Sequence, residues 1–96
     1  MLTQEYVVEK LKELKPYLKE EYQVKEIGLF GSFSKNEQNK DSYVAIFVEF
    51  YKPIGWNFFT LEKFLEETFN RKVDLVTKKA LKTQLKDIIL KQTLFL

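Results

Sequence analysis

The apolar residues Val7, Leu11, Leu14 and Leu18 recur at intervals of three and four, the spacing that aligns side chains on one face of a helix. Thr3 stands where such a helix needs its cap. Pro16 falls inside the repeat, and a proline is tolerated in a first turn but not in mid-helix. The pattern therefore predicts one helix to about Leu14 and a shorter one from Pro16 to Tyr22. Val24 to Phe30 reads as a strand ending at Gly31-Ser32, where a short helix should begin. A polar, turn-prone run from Ser34 to Asp41 follows as surface loop. Val44 to Phe50, rich in β-branched and aromatic residues, is the clearest strand, and the segment Tyr51 to Gly55 breaks it.

A helix then opens at Asn57 or Thr60 with Phe58, Leu61, Phe64, Leu65 and Phe69 on one face, and Asn70 suits the left-handed position that ends it. Val73 to Val76 is a short strand. Thr77 is positioned to cap a final helix through Lys91, with Ala80, Leu81, Leu85, Ile88 and Ile89 turned inward. The order is ααβαβαβα-like with short connections. It describes an α+β fold, an α/β two-layer arrangement of a small mixed sheet packed by helices. No linker, repeat or low-complexity stretch interrupts it, so residues 1–96 read as a single domain.

Composition narrows the chemistry. The absence of cysteine excludes disulfides, thiolate metal sites and a cysteine nucleophile, and the absence of histidine removes the commonest general base and zinc ligand. A metal would have to sit on carboxylate and carbonyl oxygens, which favours magnesium, manganese or calcium. No apolar run is long enough to cross a membrane, and residues 1–26 are too charged for a signal peptide, so a soluble, cytoplasmic protein is expected. Net charge is +2, too small by itself to mark a nucleic-acid binder. Residues 71–96 carry seven Lys and Arg (Arg71, Lys72, Lys78, Lys79, Lys82, Lys86, Lys91) against Asp74 and Asp87. A solvated helix face is the simpler reading of that tail, and a phosphate-facing or partner-facing surface the alternative. Its lysines are not interleaved with aromatics as a stacking groove requires, which argues against nucleic acid. Aromatic residues make up 16% of the chain, enough that some should cover a partner rather than the core.

The candidate site begins at Gly31-Ser32. A strand-to-helix junction can present backbone N–H groups to a phosphate, a glycine lets the ligand approach closely, and Ser32 adds a hydroxyl. By itself a Gly-Ser pair is most often an ordinary turn. Ten residues separate Ser32 from Tyr43, and Ala45 follows on the same strand. Side chains alternate across a strand, so Val44, Ile46, Val48 and Phe50 face the core while positions 43, 45, 47 and 49 face an open side. Asp74 sits opposite the inward pair Val73 and Leu75, and aspartate in a strand asks for a reason. A surface ion pair would supply one.

Three separated motifs in order carry a resemblance: Ile27-Gly28-Leu29-Phe30-Gly31-Ser32, then Ser42 leading into Ile46-Phe47-Val48-Glu49-Phe50, then Val73-Asp74-Leu75-Val76-Thr77. Lys52-Pro53-Ile54-Gly55-Trp56 and the tail around Leu81-Lys82 extend it over nearly the whole chain. The sequence resembles the minimal nucleotidyltransferases of the polymerase-β-like superfamily. Their signature is Gly-Ser, ten residues, Asp-x-Asp, and a third aspartate on a later strand. The resemblance implies that Gly31 and Ser32 bind the nucleotide and that Asp74 is the third aspartate. Tyr43 and Ala45 stand where the metal-bridging pair belongs, and Asn36 replaces a glycine of the loop.

In the family the paired aspartates hold two Mg²⁺ ions that grip a nucleoside triphosphate and activate the attacking hydroxyl. Such metals stabilise the entering and leaving oxygens of an in-line displacement. Tyr43 and Ala45 offer Mg²⁺ no carboxylate, and only Asp74 remains. Glu49 has the right parity but lies roughly 13 Å along the strand, and Asp41 sits in the loop. Losing ~4 kcal/mol of metal stabilisation would slow transfer about a thousandfold. The resemblance therefore implies a catalytically impaired protein acting as an antitoxin-like partner of a helical HEPN-type toxin, in a homo- or hetero-oligomer. Trp56, Phe58, Phe59, Phe95 and the basic last helix are candidates for the surface. The alternative is an active Mg²⁺-dependent enzyme transferring a nucleoside monophosphate, such as AMP from ATP, to a protein or small-molecule hydroxyl.

Overall fold

The computed structural model describes residues 2–81 and 83–96. Helix α1 spans Gln4–Tyr22 and begins where Thr3 Oγ1 accepts from the Tyr6 N–H. It is one helix rather than two. Pro16 lies on its exposed side, while Val7, Leu11, Leu18 and Tyr22 stay in phase and buried on both sides of it. A mid-helix proline costs roughly 3 kcal/mol, and four buried apolar side chains at about 1.5–3 kcal/mol each outweigh that cost. Gln23 closes the helix in the left-handed conformation, its N–H bonded to the carbonyls of Leu18 and Lys19.

Strand β1 (Val24–Phe30) runs into a 3-10 turn over Gly31–Phe33, and β2 (Val44–Phe50) pairs antiparallel to β1. Helix α2 (Asn57–Phe69) then crosses to β3 (Val73–Thr77), which lies parallel to β2. The left-handed Asn70 ends α2 as its sequence suggested. The sheet order is β3-β2-β1-β4, where β4 is the two-residue strand Leu94–Phe95 antiparallel to β1. The result is the expected α+β arrangement, a four-stranded mixed sheet with three helices.

One face of the sheet carries the core. Ile27, Leu29, Val44, Ile46, Val48, Val73 and Leu75 pack against Val7, Leu11 and Leu18 of α1 and Leu61, Leu65 and Phe69 of α2. Phe64 stacks on Tyr22, with ring centroids 6.2 Å apart, where the two helices meet.

Three expectations need correction at the C-terminal end. Thr77 does cap a turn, accepting from the Ala80 N–H, but that turn is a 3-10 turn over Lys78–Ala80. Leu81 is extended, and helix α3 begins at Thr83 and runs to Gln92. Ala80 and Ile88, expected inward, are exposed, whereas Leu81 and Ile89 are half-buried. The side chain of Leu85 and all of Lys82 lie outside the described residues. The sequence also gave no hint of β4, whose two residues are too few for a periodicity. The opposite sheet face is consequently not open along its length. Phe95 packs edge-on against Phe47 with centroids 5.8 Å apart, and Phe47 is only 1% exposed. Gly28 makes this cover possible, because a Cβ there would come 2.3 Å from Thr93 Cγ2.

Candidate functional site

Gly31 turns β1 into the 3-10 turn at φ +71°, a left-handed conformation that a side chain disfavours. A Cβ there would sit 3.3 Å from that of Ala45, so the glycine backbone abuts position 45 directly. The turn is tied down from several directions. The Gly31 carbonyl accepts from the Ser34 N–H at 3.1 Å and the Ser34 hydroxyl at 2.8 Å, and the Ser32 carbonyl accepts from the Glu37 N–H at 2.9 Å. Gln4 Nε2, in the first turn of α1, donates to the carbonyls of Phe33 and Ser34, both at 2.9 Å. The Phe33 ring is fully buried beneath the turn. Asn36 adopts φ +57°, a left-handed conformation that asparagine tolerates.

Ala45 lies in register with Phe30 on one side and with Asp74 on the other. Neighbouring strands are about 4.8 Å apart, so positions 45 and 74 are immediate neighbours beside Gly31. Ala45 is 9% exposed and Asp74 is exposed. Tyr43 precedes β2 instead of lying within it; its ring is exposed, with Lys72 Nζ 6.0 Å from the centroid. The fold thus brings Gly31, Ser32, Tyr43, Ala45 and Asp74 to one end of the sheet. Glu49 sits at the other end of β2, opposite Glu26 of β1.

The donor set at this end does not suit a divalent ion. Mg²⁺ requires near-octahedral oxygen ligation, usually from one or two carboxylates together with phosphates. Asp74 is the one carboxylate among the five positions, and no group of three or more acidic residues able to hold a metal occurs among the described residues. Two further acids approach from α2. Burial raises the pKa of Glu62 above the ordinary carboxylate value, and the charges of Glu66 and Asp74 raise it further. Glu66 itself accepts from the Val73 N–H at 3.2 Å.

In the sequence Arg71 stands out only as part of a basic tail. Its Nη1 donates to the carbonyls of Asn39 at 2.8 Å and Ser42 at 3.2 Å, and its guanidinium lies 5.8 Å from the Phe33 ring centroid. It holds the loop that delivers Tyr43. No sequence signal isolates it, because the loop it grips is 29 to 32 residues away.

Of the aromatics read as a partner surface, Trp56 is 84% exposed, Phe59 58% and Phe95 47%. Phe58 instead packs against the core, edge-on to Phe50. Trp56 and Phe59 lie side by side with centroids 5.7 Å apart. No helix among the described residues is long and apolar enough to cross a membrane.

Residues 11–96 match the nucleotidyltransferase domain family. A Methanocaldococcus jannaschii protein, provisionally named protein adenylyltransferase MJ1215, is 45% identical over 82 residues, spanning 84% of this chain and 95% of its own length. The protein adenylyltransferase MntA of Thermococcus cleftensis is 38% identical over 96 residues, 99% of this chain and 97% of its own. A solved structure described as a minimal nucleotidyltransferase superposes with a TM-score of 0.82 at 20% identity, covering 97% of this chain and 95% of that one. A toxin-antitoxin crystal structure with AMP-PNP gives 0.69 at 23% identity, over 98% of this chain and 72% of that chain.

Proposed function

Because this chain belongs to the nucleotidyltransferase domain family, we propose that residues 1–96 are one domain that has kept the family scaffold and works by binding, as the antitoxin-like partner of a helical, HEPN-type protein. The observation that carries this reading is position 45. It adjoins both Gly31 and Asp74, where a metal-bridging carboxylate is required, and it is an alanine. With Tyr43 as the other member of the pair, metal-dependent transfer loses its clamp, while Gly31 and Ser32 remain available to a nucleotide phosphate. The toxin-antitoxin assembly among the structural neighbours and the exposed Trp56, Phe59 and Phe95 support a protein partner.

Co-expression with a helical HEPN-type partner, followed by gel filtration, is the test. Co-elution that Trp56→Ala with Phe59→Ala reduces at least about tenfold is expected, since buried aromatic anchors commonly carry 2 kcal/mol or more. A partnerless monomer overturns the reading.

A second reading is an active enzyme that moves AMP from ATP to a hydroxyl with Mg²⁺. The names of relatives at 38–45% identity and the retained Asp74 favour it. Titration with ATP separates the two: the binding reading expects weak association that ignores Mg²⁺, and the enzyme reading requires Mg²⁺.

A further inference from the structure

Two concavities adjoin at the end of the sheet away from Gly31, and Tyr51 lines both. The first, of about 380 Å³, has Lys52, Lys78 and Lys79 in its wall; the second, of about 260 Å³, has Lys15, Lys19 and Lys25. Glu49 is the only acidic residue lining either one. Neither is lined by Gly31, Ser32, Ala45 or Asp74. Phe50, just before Tyr51, pairs with Val24 at the start of β1, so this surface lies roughly 20 Å from the Gly31 turn at strand rise.

All six lysines are exposed. Lys15 Nζ donates to the Leu96 oxygen, and none of the other five lysines is ion-paired with an Asp or Glu among the described residues, where Lys10 with Glu13 is the single such pair. The Tyr51 ring stands exposed between the two groups, with Lys19 Nζ 5.9 Å from its centroid. Its backbone is fixed, because the Tyr51 N–H donates to the Gln23 carbonyl at 2.9 Å.

We infer that the Tyr51 ridge and its two lysine-lined concavities bind a short single-stranded oligonucleotide. Cations on both sides of an exposed ring repeat the order of phosphate, base, phosphate along a strand. Aromatic stacking accepts any base, and ammonium groups attract phosphates without reading sequence. An acidic peptide satisfies the lysines equally but makes no comparable use of a ring between them. The lysines come from α1, β1, the segment after β2 and the turn after β3. That dispersal explains why a chain of net charge +2 shows no basic run here.

The test is fluorescence anisotropy of a labelled oligothymidylate of about ten nucleotides, titrated with the full chain at about 50 and 200 mM salt. Neutralising roughly five phosphates predicts about a hundredfold weaker binding at the higher salt. Lys52→Glu with Lys79→Glu, and separately Lys19→Glu with Lys25→Glu, should each weaken binding at least about tenfold. Tyr51→Leu should weaken it about fivefold or more. Lys35→Glu with Lys40→Glu, an equal change of charge in the loop at the far end, should stay within about twofold. All these side chains are exposed, and circular dichroism verifies that each variant is folded. No binding at low salt overturns the inference, as does a control pair that loses as much as the site pairs. Displacement by polyglutamate at matched charge concentration would assign the surface to an acidic protein. Equal affinity for free AMP would make it a mononucleotide site. Either result also overturns it.

Discussion

The two ends of the sheet have been built by different means. At the Gly31 end, backbone and side-chain hydrogen bonds from Ser34, Glu37, Gln4 and Arg71 hold the turn and its loop, yet one carboxylate stands where three would serve a metal. At the Tyr51 end, six lysines crowd two concavities with almost no bonds among them. The first end has shape without its charge, and the second has charge on little more than exposed side chains. Shape persists at the first because it belongs to the core: Phe33 is fully buried, and Gly31 must clear Ala45. Neither the buried Phe33 nor the Gly31 turn needs a carboxylate at position 43 or 45, so on the proposed reading the scaffold stands without a metal clamp.

The largest effect should come from returning charge to the shaped end. Tyr43→Asp with Ala45→Asp places carboxylates beside Asp74, and Mg²⁺-dependent transfer of AMP from ATP to a protein hydroxyl or water, read as the pyrophosphate released, should rise about a thousandfold over the parent chain. Without metal, like charges on adjacent strands should cost about 1 kcal/mol, and Mg²⁺ should restore the thermal midpoint. A double variant that gains neither activity nor metal-dependent stability would show that the shape at this end is not the family's working shape, and the contrast between the ends would collapse.

That contrast was only half legible in the sequence. That Gly31, Ser32 and Asp74 come to one end of the sheet was legible because the motif spacing is short-range and the parity of β2 follows from a period of two. The pairing of Ala45 with Asp74 then needed only a parallel sheet. Phe47 could not be read correctly, since the residue covering it, Phe95, sits in a two-residue strand without periodicity. Pro16 misled because a local penalty was visible and the packing that outweighs it was not. The lysine concavities escaped for the reason Arg71 did: their members meet only after the chain has folded.

Arg71→Met sharpens the comparison from the other side. It keeps the side chain's bulk over Phe33 and deletes two hydrogen bonds to the loop. Denaturant unfolding should show a loss of about 1–2 kcal/mol, with faster amide exchange at Ser42 and Tyr43. Oligonucleotide affinity at the Tyr51 end should not change. A loss at both ends would mean that they are not independent.

The smallest expected effect tests whether the Gly31 end already carries unfavourable negative charge. The raised pKa of Glu62, caused first by burial and then by Glu66 and Asp74, means that the folded chain binds this proton more tightly than the unfolded chain does. Stability from this group is therefore present below the ordinary carboxylate pKa and declines as pH rises through the folded value. Glu62→Gln should flatten that decline and leave the variant slightly more stable than the parent at neutral pH, measured as thermal midpoints from pH 4 upward. Asp74→Asn should shift the same curve by less, because Asp74 is the last of the three causes. In the Tyr43→Asp, Ala45→Asp background without metal, new carboxylates near Asp74 should steepen the decline, and Mg²⁺ should flatten it again. A slope indifferent to these carboxylates would leave burial alone as the cause, and the Gly31 end would then differ from the lysine end in geometry but not in the sign of its field.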